Sequence, residues 1–251
     1  MDNAMYVGVS KQMILRRELD VVANNIANAN TTGFKVESVM SAADPTFPAQ
    51  TVGGPQPVQF AIDTGLARDF TQGSLETTNG PLDLAIQGPG FFKISTASGE
   101  LYTRDGRFTT DAQGQLVTQT GDPVLDVSGG PITLNPNGGP PTIGRDGSVS
   151  QSSPGSPTGV VVGRVGVVRF DSLSGLSKQG DGLYSNTAGL TPTPAPYAVV
   201  RQGMLEASNV QPVIQITDLI RINRAYEGIS QMVSSTADLS KTAIQRLGAA
   251  Q

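Results

Sequence analysis

The 251-residue chain has no cysteine, no histidine and no tryptophan, and only 15% of its residues are charged, against a usual share of about 25%. Without thiolate or imidazole there is no ligand set for a zinc, iron–sulfur or haem site of the usual kinds. Ser–His–Asp and Cys–His nucleophiles are excluded for the same reason, and so are disulfides. Calcium or magnesium held by oxygens, paired-carboxylate catalysis, and Lys or Ser chemistry stay open. Seventeen basic residues against 21 acidic ones give a net charge of −4, which exerts little pull on nucleic acid or anionic lipid. No stretch approaches the ~20 apolar residues that span a bilayer. The opening, MDNAMYVGVSKQMILRRELDVV, lacks the basic region, apolar run and small-residue cleavage site of a secretory signal. The expectation is a chain that does not span a membrane and is either cytoplasmic or exported without a cleaved signal.

What the chain has in excess is glycine and proline, 30 and 17 residues, well above their usual combined share of about 12%. Nearly all of them lie in the middle. Residues 1–36 and 204–251 contain few glycines and a single proline, Pro212, and their charges nearly cancel; the middle carries the negative excess.

The C-terminal end has the clearest period. Leu219, Ile222, Tyr226, Ile229, Val233, Thr236, Ser240, Ala243 and Leu247 step alternately by three and four, an unbroken heptad seam. Ala225, Met232 and Leu239 form a flanking apolar row. Pro212 suits a first helical turn, with Ser208 or Asn209 as the cap, so a helix is expected over about 212–247. A shorter seam, Leu15, Leu19, Val22, Ile26 and Ala29, predicts an N-terminal helix from Asp2 or Asn3 to about Ala27. Asn28, Asn30 and Gly33 follow it and tolerate left-handed backbone. Isolated amphipathic helices are marginal, so each seam needs a partner, and the two seams are the obvious partners for one another. The C-terminal seam is the longer, and its far part is small or polar, which suits neighbouring subunits completing the core. The plainer alternative is that both ends pack as ordinary helices on the middle.

Residues 75–203 read as β. Leu82–Ile86 and Phe91–Ile94 alternate, and turn dipeptides recur at Asn79-Gly80, Asp105-Gly106, Asn137-Gly138 and Asp146-Gly147, the spacing of many short antiparallel strands. Val160-Val161-Val162 and Val165–Val168 are expected core strands. Residues 37–74 read as an extended connector, and Pro192, Pro194 and Pro196 as the exit from the β region. The expected architecture is therefore α+β: a discontinuous helical coiled-coil domain from 1–36 and 204–251, and a central all-β domain at 75–203.

Asp105, Asp111, Asp146 and Asp181 have no EF-hand spacing and read as turn residues. Asp83, Asp105, Asp122 and Asp126 could pair for glycoside hydrolysis, but acids scattered over short strands are the norm. Gly88-Pro89-Gly90-Phe91-Phe92 lacks the ending and the following helix of a phosphate loop. No cofactor or metal is called for.

Three stretches carry a resemblance. ANNIANANTTGFK at 23–35 is similar to the N-terminal signature of the flagellar basal-body rod and hook family. TQGSLETTNGPLDLAIQGPGFFKI at 71–94, with LYTRDGRFTTDAQGQLVTQTGDPVL at 101–125, and QGMLEASNV at 202–210 match the same family in the same order. The opening resembles proximal more than distal rod members. The resemblance implies a non-enzymatic structural subunit exported through the flagellar type III apparatus without a cleaved signal. It implies helical assembly with itself and other rod proteins in a periplasmic rod, terminal helices lining the export channel, a β domain outside them, and torque transmission. The residues expected at the helical interface are Leu15, Leu19, Val22 and Ile26 against Leu219, Ile222, Tyr226, Ile229 and Val233, within or between subunits. Asn24, Asn25 and Asn28 are expected to set register and turn the chain at Gly33. An exported β-rich binding module and a carbohydrate-cleaving enzyme are the two alternatives of other classes.

Overall fold

The computed structural model describes residues 2–49, 58–153 and 156–248. The fold is α+β, with one long helix near each end of the chain and antiparallel strands between them. Two compact units are present: Met1–Ala27, Val36–Asp69 and Val210–Gln251 form the first, Asn28–Lys35 and Phe70–Asn209 the second.

In the first unit, α1 (Asp2–Ala27) and α2 (Pro212–Gly248) lie antiparallel. The periodic seams meet: Leu15, Val22 and Ile222 are buried together, and Leu19, Ile26, Leu219, Tyr226 and Ile229 pack against them. Along α2 the seam residues from Leu219 to Thr236 are the shielded ones, while Met232 and Leu239 of the flanking row are 46% and 66% exposed. The side chains of Ser240, Ala243 and Leu247 lie outside the described residues. The first turn of α2 opens at Gln211, whose carbonyl accepts from the Gln215 amide at 3.1 Å. Gly8 allows the helices to approach closely, since a Cβ there would stand 2.7 Å from Cγ2 of Val233. Gly8→Ala is therefore expected to cost about 1–3 kcal/mol, because β-branched Val233 cannot swing aside without strain. Thermal unfolding of the full chain, followed at the helical circular-dichroism signal, reads this loss.

The stretch expected as an extended connector contains two long strands. β1 (Glu37–Ala49) and β2 (Val58–Arg68) pair antiparallel from Glu37 opposite Arg68 to Ala49 opposite Val58. Register shifts fall between Met40 and Ser41 and between Ala43 and Pro48. Such shifts interrupt the regular pairing, and with it the two-residue period in the sequence.

The second unit is built from short strands: β3 (Leu75–Thr77), β4 (Leu84–Gln87), β5 (Phe91–Thr96), β6 (Gly99–Thr103), β7 (Thr109–Thr110), β8 (Leu116–Val117), β9 (Thr142–Ile143), β10 (Ser148–Ser153), β11 (Ser156–Arg164), β12 (Val167–Arg169), β13 (Leu176–Gly180), β14 (Leu183–Asn186), β15 (Thr193–Pro194), β16 (Val199–Gln202) and β17 (Met204–Glu206). Its largest sheet runs β13-β14-β6-β5-β12-β15. Successive side chains of a strand point to opposite faces, so Phe91 and Phe92 enter different cores. Phe92 packs with Leu84, Ile86, Ile94 and Val124, and Phe91 with Tyr102, Phe170 and Tyr184. The hairpin β13–β14 turns at Asp181 and Gly182, with φ of 49° and 72°, as a primed two-residue turn requires.

Two sequence expectations are corrected here. Val165 and Val168 are buried, but Val160, Val161 and Val162 are 58%, 63% and 39% exposed. They sit on β11, the edge of a three-stranded sheet, and apolar composition alone does not separate an edge strand from a central one. The prolines at 192–196 do not end the β region either. β16 pairs with β4 and β17 with β3 beyond them.

Candidate assembly site

α1 ends at Ala27, and the asparagines around that end take three different positions. Asn24 is exposed. Asn25 is 1% exposed and its amide does the work of a backbone group. Its Nδ2 donates to the Glu37 carbonyl at 2.7 Å and to Gln215 Oε1 at 3.0 Å, while its Oδ1 accepts from the Glu37 amide at 3.0 Å. One side chain thus ties α1 to the start of β1 and to the first turn of α2. Unpaired buried amides are costly, so this clamp selects one register. Asn28 accepts from the Thr31 amide through its carbonyl and from Thr31 Oγ1 through its side chain, both at 3.1 Å, which closes the turn leading to Gly33. Around the clamp, Arg68 pairs with Glu37 at 2.7 Å and Arg17 with Asp63 at 2.6 Å.

In the second unit the signature continues as Gly33, Phe34 and Lys35. Gly33 has φ +69°, and a Cβ there would lie 2.7 Å from the backbone carbon of Arg104 and the amide nitrogen of Asp105, so both conformation and space require glycine. Its amide donates to the Glu206 carbonyl at 2.8 Å. Lys35 then buries its ammonium on Glu206 Oε1 and donates to the Thr71 carbonyl at 2.7 Å. Arg104 reaches the other carboxylate oxygen at 2.9 Å and the Gly88 carbonyl at 2.8 Å, and the Gly73 amide completes the carboxylate at 3.1 Å. Lys35, Arg104 and Glu206 are 1%, 5% and 0% exposed. Burial pulls the Arg104 pKa below its ordinary value, and Glu206 opposes the shift. Among the described residues, Arg104 Nε is buried without a hydrogen-bond partner, with the guanidinium 5.4 Å from the centre of the Phe91 ring.

Sequence reading missed this buried triad, since Lys35 and Glu206 look like ordinary charges of the chain ends. The signal available was their place: each is a single charge among apolar or small neighbours inside a signature stretch.

The aspartates serve turns. Oδ1 of Asp111 accepts from the amides of Gln113 and Gln115, and that of Asp126 from Ser128 and Gly130. Asp146 accepts from the Ser148 hydroxyl and amide, which hold its carboxyl below the usual range. Asp83 accepts from Thr78 and Asp122 from Thr120. Asp105 pairs with Arg107 at 2.6 Å, a hydrogen bond that raises the guanidinium's pKa. Among the described residues no group of three or more acidic side chains is placed to hold a metal ion, and no helix is long and apolar enough to cross a membrane.

The first unit thus holds apolar seams and an amide clamp, the second unit a buried ion triad, and each orders backbone. Three family models match in chain order and cover these same features: "Flagella basal body rod protein" over residues 5–35, "Flagellar hook protein FlgE/F/G D1 domain" over 85–151, and "Flagellar basal body rod FlgEFG protein C-terminal" over 201–246. The chain belongs to the flagellar basal-body rod and hook family, and its place is that of a structural rod subunit of the basal body. It is 58% identical to the flagellar basal-body rod protein FlgF of Caulobacter vibrioides, over 99% of both chains. It is 38% identical to the FlgF of Mesorhizobium japonicum, again over 99% of both. Identity to the rod protein FlgG of Caulobacter vibrioides is 35%, over 97% of this chain and 98% of that one. Within the family the chain is thus more similar to FlgF than to FlgG of that one organism.

Proposed function

We propose that the protein is a proximal-rod subunit that assembles helically with itself and other rod proteins through α1 and α2, the terminal helices winding as coiled coils around the export channel and the β unit lying outside them. The rod crosses the periplasm, transmits torque, and receives its subunits through the flagellar type III export apparatus. The subunit has no catalytic role. Leu15, Leu19, Val22, Ile26, Leu219, Ile222, Tyr226, Ile229 and Val233 form the seam that makes the helix pair one stiff element, with Asn24, Asn25 and Asn28 setting its register and exit. A chain free of cysteine suits folding after export with no oxidation step.

One observation carries this reading. The paired helices still leave large apolar side chains in water, Tyr6 at 59%, Met13 at 69%, Val213 at 78% and Leu239 at 66% exposure. Large apolar side chains exposed along both helices suit an interaction surface, and contacts between different faces of identical subunits generate a filament. Met13→Asp tests it. The single chain should lose no more than about 0.5 kcal/mol, as for an ordinary surface change, yet purified basal bodies should lack the variant and swimming should stop. Normal motility with the variant present in basal bodies would overturn the reading.

A further inference from the structure

Residues 198–209 are the last part of the second unit in chain order, and they join parts of it that are distant in sequence. Among the described residues β4 pairs with β16 alone, and β3 with β17 alone. Leu84, Ala85 and Ile86 of β4 are buried, and Val200 of β16, 2% exposed, lies in one core with Leu84, Ile86 and Phe92. The Gln202 side chain holds three more points. Its Nε2 donates to the Pro81 and Pro141 carbonyls, both at 2.8 Å, and its Oε1 accepts from the Ile143 amide at 3.0 Å. The amides of Val200, Gly203 and Ala207 donate to the carbonyls of Arg145, Asp83 and Ser74 at 2.9, 2.8 and 2.8 Å. Glu206 then supplies the carboxylate that Lys35 and Arg104 share. The seat is tight, since a Cβ on Gly73 would overlap the Ala207 carbonyl oxygen.

We infer that residues 199–207 are a closing strap: the second unit does not complete its Phe92 core until this segment is in place, and the segment leaves only when that core opens. Three costs fall together without it. β3 and β4 lose their strand partners, the core loses a packed valine, and two buried cations lose a counter-charge. Every other part of the unit precedes the strap in chain order. A chain delivered N-terminal end first therefore stays open until about residue 207 has followed, which keeps the unit from locking while its chain is still in passage. The strap is a property of the second unit and holds whether or not the rod reading does.

Native-state hydrogen exchange of the full chain tests this. The amides of Leu116, Val124 and Ile132 bond to the carbonyls of Ile132, Leu116 and Val124 at 2.8, 2.8 and 3.3 Å in the Phe92 core. Amides released by one opening share one protection factor, so those of Val200, Gly203 and Ala207 should be protected to within about tenfold of these three. Strap amides less protected than that would show the strap detaching from a standing core and would overturn the inference. A second measurement uses a full-length chain with a specific protease site inserted between Pro196 and Tyr197, a turn at which Tyr197 is 86% exposed. After cutting, the two pieces should stay together, with a thermal midpoint that falls on dilution. Once parted in denaturant, the piece ending at Pro196 should show no cooperative unfolding alone and should regain it when a synthetic peptide of residues 198–209 is added. The same peptide carrying Glu206→Leu should bind at least about tenfold more weakly. A parted N-terminal piece that keeps the midpoint of the uncut chain would overturn the strap, as would a peptide that restores nothing. Should that piece precipitate, the exchange measurement on the intact chain still decides.

Discussion

Glu206→Leu should lower the thermal midpoint of the second unit by about 10 °C. The carboxylate is 0% exposed and is met by the Lys35 ammonium, the Arg104 guanidinium and the Gly73 amide. Leucine has a similar volume, so little cavity forms. The loss comes instead from two cations left buried with no counter-charge. Breaking a buried pair in this way costs about 3–5 kcal/mol, and each kcal/mol moves the midpoint of a unit this size by about 2–4 °C. Arg104 is the more exposed to this loss, because its Nε already lacks a partner and burial already depresses its pKa. Glu206 opposes that depression through both its charge and its hydrogen bond. Calorimetry of the full chain reads the shift. A double-mutant cycle with Lys35→Met isolates the pair, and a coupling of about 1–3 kcal/mol is expected for groups in direct contact. Strict additivity would refute the ion pair as the source of the effect.

Asn25→Asp changes one nitrogen to oxygen and should nonetheless destabilise the first unit by about 2–4 kcal/mol at neutral pH, the sum of a lost donor and an unpaired buried charge. The new carboxylate could still accept from the Glu37 amide. It would also face the Glu37 carbonyl and Gln215 Oε1, the two acceptors that Asn25 Nδ2 now serves. Acceptor against acceptor in a buried site raises the folded-state pKa of the new group above its unfolded value near 3.9. A raised folded pKa means the protonated form is the one the fold favours. The variant should therefore approach wild-type stability below about pH 4 and lose it progressively as pH rises through the folded pKa. Denaturant unfolding of variant and wild type across pH 3–8 checks both sign and size. A pH-independent difference would show that the lost bonds alone, rather than the buried charge, account for it.

These predictions divide between contacts that the sequence made legible and contacts it did not. Both long helices were readable because helix-forming neighbours are three and four residues apart, so the seams from Leu15 to Ile26 and from Leu219 to Val233 announce their own face, and their mutual burial in one cluster follows from each needing a partner. Turn chemistry was readable for the same local reason. Asp181 and Gly182 adopt positive φ, and Asp111, Asp126 and Asp146 bond amides two to four residues on. The strand pair β1–β2 was not readable, because its two register shifts break the alternation by which a half-buried strand is recognised. Val160–Val162 misled in the opposite sense, being as apolar as a core strand while lying on an edge.

From its amino acids alone, the chain's lack of histidine and cysteine, the terminal heptads and the three signature stretches were enough to establish a helical–β–helical structural subunit of the rod family, since composition and local spacing act between near neighbours. Only tertiary structure brought Lys35 and Arg104 to Glu206, partners 171 and 102 residues away in sequence, and seated Asn25 between Glu37 and Gln215. The free energy of a buried polar group depends on which partners surround it in space, and no local pattern in the chain encodes that.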